Sequence, residues 1–178
     1  MKIIGIDASL TSTGVATLGN GPTIMAIQSK LNGPARLIEI RDTIGKLIKG
    51  ADLVLIEEYA YSKANKAHQI GELGGVLRVL FHEMGVNWIE VNPSMVKKYA
   101  TGKGNATKEA IAVGVYKRWG REFAINDEAD AFVLAMIGSV IAGSSFDNLT
   151  AFQREVIEQL RAGKKVVVKK KKVKKEDE

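Results

Sequence analysis

The sequence predicts an α/β fold, a mixed five-stranded sheet flanked by helices. Three observations predict it. Two short apolar runs, Ile3-Ile4-Gly5-Ile6 and Leu53-Val54-Leu55-Ile56, each end on an acid, Asp7 and Glu57, and read as buried strands. Between them, Val15–Leu18 and Thr23–Ser29 flank Gly19-Asn20-Gly21-Pro22, a hairpin signal. Beyond them, helical periodicity alternates with one more strand and then continues alone. That order gives an antiparallel hairpin on one side of the sheet and helix-crossed parallel strands on the other.

The elements follow in order. Lys2–Asp7 is short, apolar and β-branched, as a central strand should be, and Ser9–Gly14 is a turn into the hairpin. Ala35–Lys49 is an amphipathic helix with Leu37, Ile40, Ile44, Leu47 and Ile48 on one face, and Gly50 is placed to cap it. Asp52–Glu57 is the next buried strand. Lys66–Met84 is a long helix striped by Ile70, Leu73, Leu77, Leu80, Phe81 and Met84, and interrupted by Gly71, Gly74 and Gly75. A glycine inside a helix costs about 1 kcal/mol against alanine. Three of them imply a close approach, either to the sheet or to a second copy of the helix. Val86–Val91 is the fifth strand. Asn92-Pro93 then opens a short helix, with asparagine as cap and proline in the first turn. After a glycine-containing loop, Thr101–Asn105, come helices at Thr107–Trp119 (capped by Ala106 or Thr107), Asn126–Ala142 and Leu149–Arg161.

The totals bound the function. A chain of 178 residues, 46% apolar and 26% charged, suits one domain with a substantial core. We assign that domain to residues 1–162 and a basic tail to 163–178. No apolar run approaches the roughly 20 residues needed to cross a bilayer. The start, Met1-Lys2-Ile3-Ile4-Gly5, leads into a strand without a signal-peptide cleavage pattern. With no cysteine, thiolate catalysis and cysteine-bound zinc are excluded, and a reducing cytoplasm is expected, in a bacterium or in the host of a phage that encodes the chain. Two histidines, His68 and His82, cannot build a histidine-rich metal site.

The net charge of +6 is mostly the tail: residues 164–178 hold eight lysines and three acids, leaving about +1 for the body. Val166-Val167-Val168 gives the tail too little apolar surface to fold alone. Within the body, Lys97–Arg121 holds seven basic residues against Glu109, and that local excess points to a polyanionic partner.

Four acids carry the chemistry. Asp7 and Glu57 end strands, and Asp127 and Asp130 open a helix. Taken singly, each has a plain structural reading: a turn, a helix cap, or a favourable charge at a helix start. Glu57 and Glu58 are adjacent, so strand geometry sends only one of them to any shared site. Together, the ends of strands and helix bring like charges into one place. That arrangement is unfavourable unless a cation fills it. Oxygen-only ligands select a hard divalent ion, Mg²⁺ or Mn²⁺. The reading is a metal-dependent phosphodiester-cleaving site.

An Asp after the first strand, a Glu after the fourth and an Asp-x-x-Asp opening a late helix is the layout of ribonuclease-H-like nucleases. More narrowly, Ile4-Gly5-Ile6-Asp7-x-Ser9-x-x-x-Thr13-Gly14, Leu55-Ile56-Glu57, Val96-Lys97 with Lys108 downstream, and Asp127-x-x-Asp130-Ala131 resemble the RuvC-type Holliday junction resolvases, especially their phage-encoded branch. The resemblance runs from Met1 to Ala142. It implies that Asp7, Glu57, Asp127 and Asp130 hold metal and that Lys97 and Lys108 are the functional lysines. The aromatic residue that opens the junction in this family normally stands three residues after the strand-four Glu. Here that position is Ala60, between Tyr59 and Tyr61.

The chemistry agrees with that resemblance. Two metal ions about 4 Å apart can activate water and stabilise the leaving 3′ oxygen. Asp7, on the central strand, suits the bridging position. Glu57 and Asp130 would each hold one ion, and Asp127 would complete the shell or steer the water. Lys108 opens a helix, where its ammonium and backbone N–H groups can hold a phosphate. Lys97, Lys98 and Lys103 are candidates to track the DNA backbone, against the reading of a solvated face. Tyr59 and Tyr61 are candidates to stack on unpaired bases.

The expected function is paired symmetric nicking of a four-way DNA junction, which needs two sites and hence a two-fold homodimer. Its interface is expected on Lys66–Met84. A broader branched-DNA or flap nuclease is the alternative within this class. Gly5-x-Asp7-x-Ser9-x-x-x-Thr13-Gly14 also looks like the first phosphate motif of actin-like ATPases, but 178 residues lack room for the second domain those proteins need, so no nucleotide cofactor is expected. An inert nucleic-acid-binding module would have no reason to keep four mutually repelling acids.

Overall fold

A computed structural model of the chain describes residues 1–19, 21–58, 67–143 and 149–163, with 67–70 as backbone. Its elements are β1 (Ile3–Asp7), β2 (Thr13–Leu18), β3 (Thr23–Ile27), α1 (Gly33–Ile48), β4 (Leu53–Glu57), α2 (Ala67–Met84), β5 (Trp88–Val91), α3 (Pro93–Thr101), α4 (Lys108–Trp119), α5 (Asn126–Ile141) and α6 (Ala151–Gly163). The sheet order is β3-β2-β1-β4-β5. β1 and β2 pair antiparallel, as do β2 and β3, while β4 joins β1 in parallel and β5 joins β4 in parallel. The mixed sheet predicted from the sequence is therefore the observed one.

Strand alternation divides the core in two. Ile4, Ile6, Val54 and Ile56 pack with Ile40 and Ile44 of α1 and Leu73, Leu77 and Phe81 of α2. Ile3, Leu53 and Leu55 face the other way, toward α3, α4, α5 and α6. α5 lies on that second face and meets the strands backbone to backbone at two glycines. An added Cβ at Gly5 would collide with the Ala131 carbonyl oxygen and lie 2.5 Å from the Ala135 amide nitrogen. One at Gly14 would collide with the Asp127 carbonyl oxygen. These two strand glycines fix how close α5 can come, and with it where its first turn stands.

Three boundaries differ from the sequence reading for local reasons. β2 begins at Thr13 because Gly14 pairs with Asp7. α1 begins at Gly33, with Pro34 already in its first turn. Val86, expected in the fifth strand, belongs to the end of α2: its N–H donates to the Phe81 carbonyl, and Gly85, at φ 63°, donates to the His82 carbonyl. That pair of bonds is a Schellman stop, which suits glycine because of the positive φ.

The α2 glycines do not all face the same way. Gly74 is buried. At Gly75 an added Cβ would meet nothing within 4 Å among the described residues, and Val79, one turn further along the same ridge, is 57% exposed. Gly75 therefore does not serve contact with the sheet. The expected tail, residues 164–178, lies outside the described residues.

Candidate active site

Parallel pairing sets Ile6 of β1 beside Ile56 of β4. The next residues, Asp7 and Glu57, therefore leave the sheet side by side. By alternation both share the face of Ile3, Gly5, Leu53 and Leu55, the face that α5 covers. Glu58 falls on the opposite face, so Glu57 is the member of the pair that reaches the site. Gly14 stands across from Asp7 in the β1–β2 ladder, and the Asp127 carbonyl fills the space beside it. The first turn of α5 is thereby laid over the end of β1. Asp127 and Asp130, three residues apart, share one helix face there.

The lysines come from the α3–α4 layer. Asn92 caps α3, its side chain accepting from the Ser94 N–H at 3.0 Å. The turn that follows is tightly bonded. Thr101 Oγ1 donates to the Lys97 carbonyl at 2.8 Å and accepts from the Lys103 N–H at 3.1 Å. Gly102, at φ 86°, donates its N–H to the Lys98 carbonyl. Thr107 alone, not Ala106, caps α4, accepting from the Ala110 N–H. Lys108 is thus the first helical residue, and its Nζ stands 3.8 Å from Asp127 Oδ1.

Burial and mutual repulsion dominate the electrostatics. The Asp7 carboxyl is pushed well above the usual carboxylate range, first by desolvation, then by Glu57, Asp130 and Asp127, with Lys108 opposing. Glu57 rises to about 7, through desolvation and then Asp130, against Lys97 and Lys108. Asp130 rises to about 6, through desolvation, with Lys108 and Lys97 opposing and Asp127 adding to the rise. Asp130 Oδ1 is buried and has no hydrogen-bond partner. The structure thus brings together Asp7, Glu57, Asp127, Asp130, Lys97 and Lys108.

It does not bring the other candidates there. Lys98 turns away: its Nζ bonds Glu155 Oε1 of α6 at 2.5 Å. Lys103 is exposed on the α3–α4 turn. Tyr59, Ala60 and Tyr61 lie outside the described residues.

One contributor had no signal in the sequence. Gln153 of α6 is buried and joins three elements: its Nε2 donates to the Tyr99 carbonyl of α3 at 3.2 Å, and its Oε1 accepts from Arg118 Nη1 of α4 at 2.9 Å and from the Thr150 N–H at 3.1 Å. Beside it, the Phe152 ring packs over Gly102 and lies 5.4 Å from the Arg118 guanidinium carbon. α6 holds the lysine-bearing layer from behind.

The donor set fits a hard divalent cation: four carboxylates, one with an unpartnered buried oxygen, and no competing sulfur or imidazole. Among the described residues no group of three or more acidic or histidine side chains stands close enough to hold a metal ion. The carboxylates do stand near enough to repel one another. Among the described residues no helix is long and apolar enough to cross a membrane.

Comparison with known proteins gives a consistent set of matches. A family model described as crossover junction endodeoxyribonuclease RuvC matches residues 3–138. The RuvC protein of Gloeobacter violaceus is 30% identical over 156 residues, covering 78% of this chain and 87% of its own. That of Chloroherpeton thalassium is 29% identical over 155 residues, covering 78% and 81%. Among solved structures, T. thermophilus RuvC in complex with Holliday junction substrate superposes with a TM-score of 0.63 at 25% identity, covering 76% of this chain and 91% of that one.

Proposed function

The chain belongs to the RuvC family of crossover junction endodeoxyribonucleases, and on that premise we propose that it resolves four-way DNA junctions by paired symmetric nicks at the Asp7–Glu57–Asp127–Asp130 cluster. The observation that carries the site is the state of Asp7, hemmed in by three other carboxylates at the end of the central strand. Such a group favours a bound cation over its own ionised, unpaired form.

Two Mg²⁺ ions, with Mn²⁺ as a substitute, would supply water activation and stabilisation of the leaving oxygen. Asp7, Glu57, Asp127 and Asp130 would hold them. The protein's own part is positional. The sheet and α5 hold the carboxylates, while α4 holds the Lys108 ammonium beside Asp127, where an incoming phosphate would exchange one anion for another. Lys97 and Lys108 also lower the repulsion that Glu57 and Asp130 feel, so the cluster stays ionised nearer neutral pH. Lys103, exposed on the same layer, would meet the DNA backbone further out, whereas Lys98 is committed to Glu155. Tyr59 and Tyr61 remain candidates to stack on unpaired bases.

Symmetric cuts need two sites, and we place the two-fold contact on α2. The open ridge of Gly75 and Val79 supports it. Action in the bacterial cytoplasm, on host or phage DNA, follows from the same reading. The lysine-rich tail would add non-specific attraction to phosphates.

The test uses purified protein with Mg²⁺ on matched four-way, three-way, flap and linear duplex DNAs. Preferential, symmetric nicking of the four-way junction, lost in Asp7→Asn and in chelator, is expected. Ala60, standing where the family has an aromatic, favours one second reading, a broader branched-DNA nuclease. Equal cleavage of flaps and three-way forms would select it.

A further inference from the structure

α4 begins at the active site and runs away from it, and its outer surface is unusual for this molecule. Lys108, Ala112 and Tyr116 stand four residues apart and form one ridge. At about 1.5 Å of rise per residue, Tyr116 lies about 12 Å along the helix from Lys108. It is 56% exposed, and among the exposed large apolar side chains of the described residues it is the one aromatic. Ala112, exposed between the two, leaves a shallow step rather than a barrier. Lys117 and Arg121 flank the far end and are both exposed.

We propose that this ridge is a binding track for the DNA strand leaving the cut, with the Tyr116 ring seating a nucleotide beyond the scissile phosphate. The inference rests on the nuclease reading above and extends it to a subsite. Continuity argues for DNA as the occupant: the ridge starts at Lys108, whose ammonium faces the carboxylate cluster. Charge argues for it too, because Lys108, Lys117 and Arg121 outnumber Glu109 and Glu122 among the exposed charges of this helix and its exit. An exposed ring among cations is the combination that stacks on bases while the charges follow the backbone. Duplex phosphates rise about 3.4 Å per nucleotide along each strand, so 12 Å places the seated nucleotide about two to four positions from the cut, fewer where the strand is unstacked and extended.

The experiment uses the full chain and a four-way junction carrying 2-aminopurine, in turn, at each of the four positions on either side of the cut. Wild-type cleavage in Mg²⁺ is the control, and its failure would count against the nuclease reading rather than this one. With cleavage in hand, wild-type protein should change the probe's fluorescence at one of those positions. Tyr116→Ala should abolish that change and weaken junction binding about tenfold, while Tyr116→Phe keeps both. The pair Lys117→Ala and Arg121→Ala should flatten the salt dependence of log K by about 0.9 for each phosphate no longer neutralised. Undiminished binding and fluorescence in Tyr116→Ala would overturn the proposal. So would a change in the protein's mass by light scattering with DNA binding intact, because the face would then serve a protein contact. Should Tyr116→Ala fail to fold, the salt slopes decide alone, and unchanged slopes reject the track.

Discussion

Gly14 of β2 and Asp127 of α5 occupy a space that holds only one of a Cβ and a carbonyl: where a side chain on Gly14 would begin, the Asp127 carbonyl oxygen already sits. Since Gly14 also pairs with Asp7, one glycine sets the distance between two of the four carboxylates.

Gly14→Ala should therefore act at the site as well as on the fold. Overpacking of this kind costs about 1–3 kcal/mol. The first turn of α5 must lift, taking Asp127 and Asp130 with it. We expect a lowered Tm, together with loss of Mg²⁺-dependent nicking beyond what the unfolded fraction explains. An Ala variant with wild-type divalent affinity by calorimetry would show that α5 has another support.

The raised carboxyl pKa values have a definite sign. Glu57 titrates near 7 against an ordinary 4.5, and Asp130 near 6 against 3.8. The folded chain thus binds more protons than the unfolded one between these limits, and stability falls as pH rises through them. Their contribution is complete below about pH 4 and gone above about pH 7. Without divalent ions, Tm should fall between pH 5 and pH 8, at about 2–4 °C per kcal/mol for a chain of this size. Mg²⁺ should raise Tm more at pH 8 than at pH 5, and Glu57→Gln should flatten the metal-free slope. A metal-free Tm that rises over that range would refute this account of the cluster.

The two lysines should separate kinetically. Lys108 is 3.8 Å from Asp127 and at a helix start, and on the proposed function it would meet the scissile phosphate, so Lys108→Ala should slow single-turnover cleavage about a hundredfold with little change in binding. Lys97 acts on Glu57 and Asp130 from within α3, and Lys97→Ala should affect both rate and binding. Lys98, bonded to Glu155, should matter to neither beyond a small loss of stability. Equal, minor effects at Lys97 and Lys108 would remove them from the mechanism.

The α2 ridge predicts which glycine governs assembly. Gly75→Leu, on the open side, should weaken the dimer and the paired cuts while the monomer stays folded. Gly74 is buried, so Gly74→Leu should instead damage the monomer. Sedimentation that finds wild-type protein monomeric at micromolar concentration, free and bound to DNA, would refute the interface.

What the sequence disclosed and what it hid follow from distance along the chain. Asp7 and Glu57 were legible because each ends a short apolar run, and a strand's two-residue period carries its last side chain to a definite face. Asn92 was legible as a cap, and Thr107 as one of two candidates, because capping is local. Val86 was misread because a buried residue after a helix looks the same whether it begins a strand or closes a Schellman stop. The contacts of Gln153 with Tyr99 and of Lys98 with Glu155 span 54 and 57 residues, and neither leaves a periodic trace. The closeness of Gly5 and Gly14 to α5 is likewise a property of packing; in the sequence they are two small residues in strands.

The support that α6 gives from behind has a mechanical consequence. The carboxylates are anchored in the sheet and α5, but the lysines ride on a layer fastened at Tyr99, Gly102 and Arg118 by a helix beyond the residues that match the family model. Acids and lysines thus share one core, but the side-chain ties from Gln153 reach only the lysine-bearing layer. On the proposed function, substitutions at Gln153 or Phe152 should shift the cationic half more than the acids, and so alter the fit to a branch point more than the chemistry.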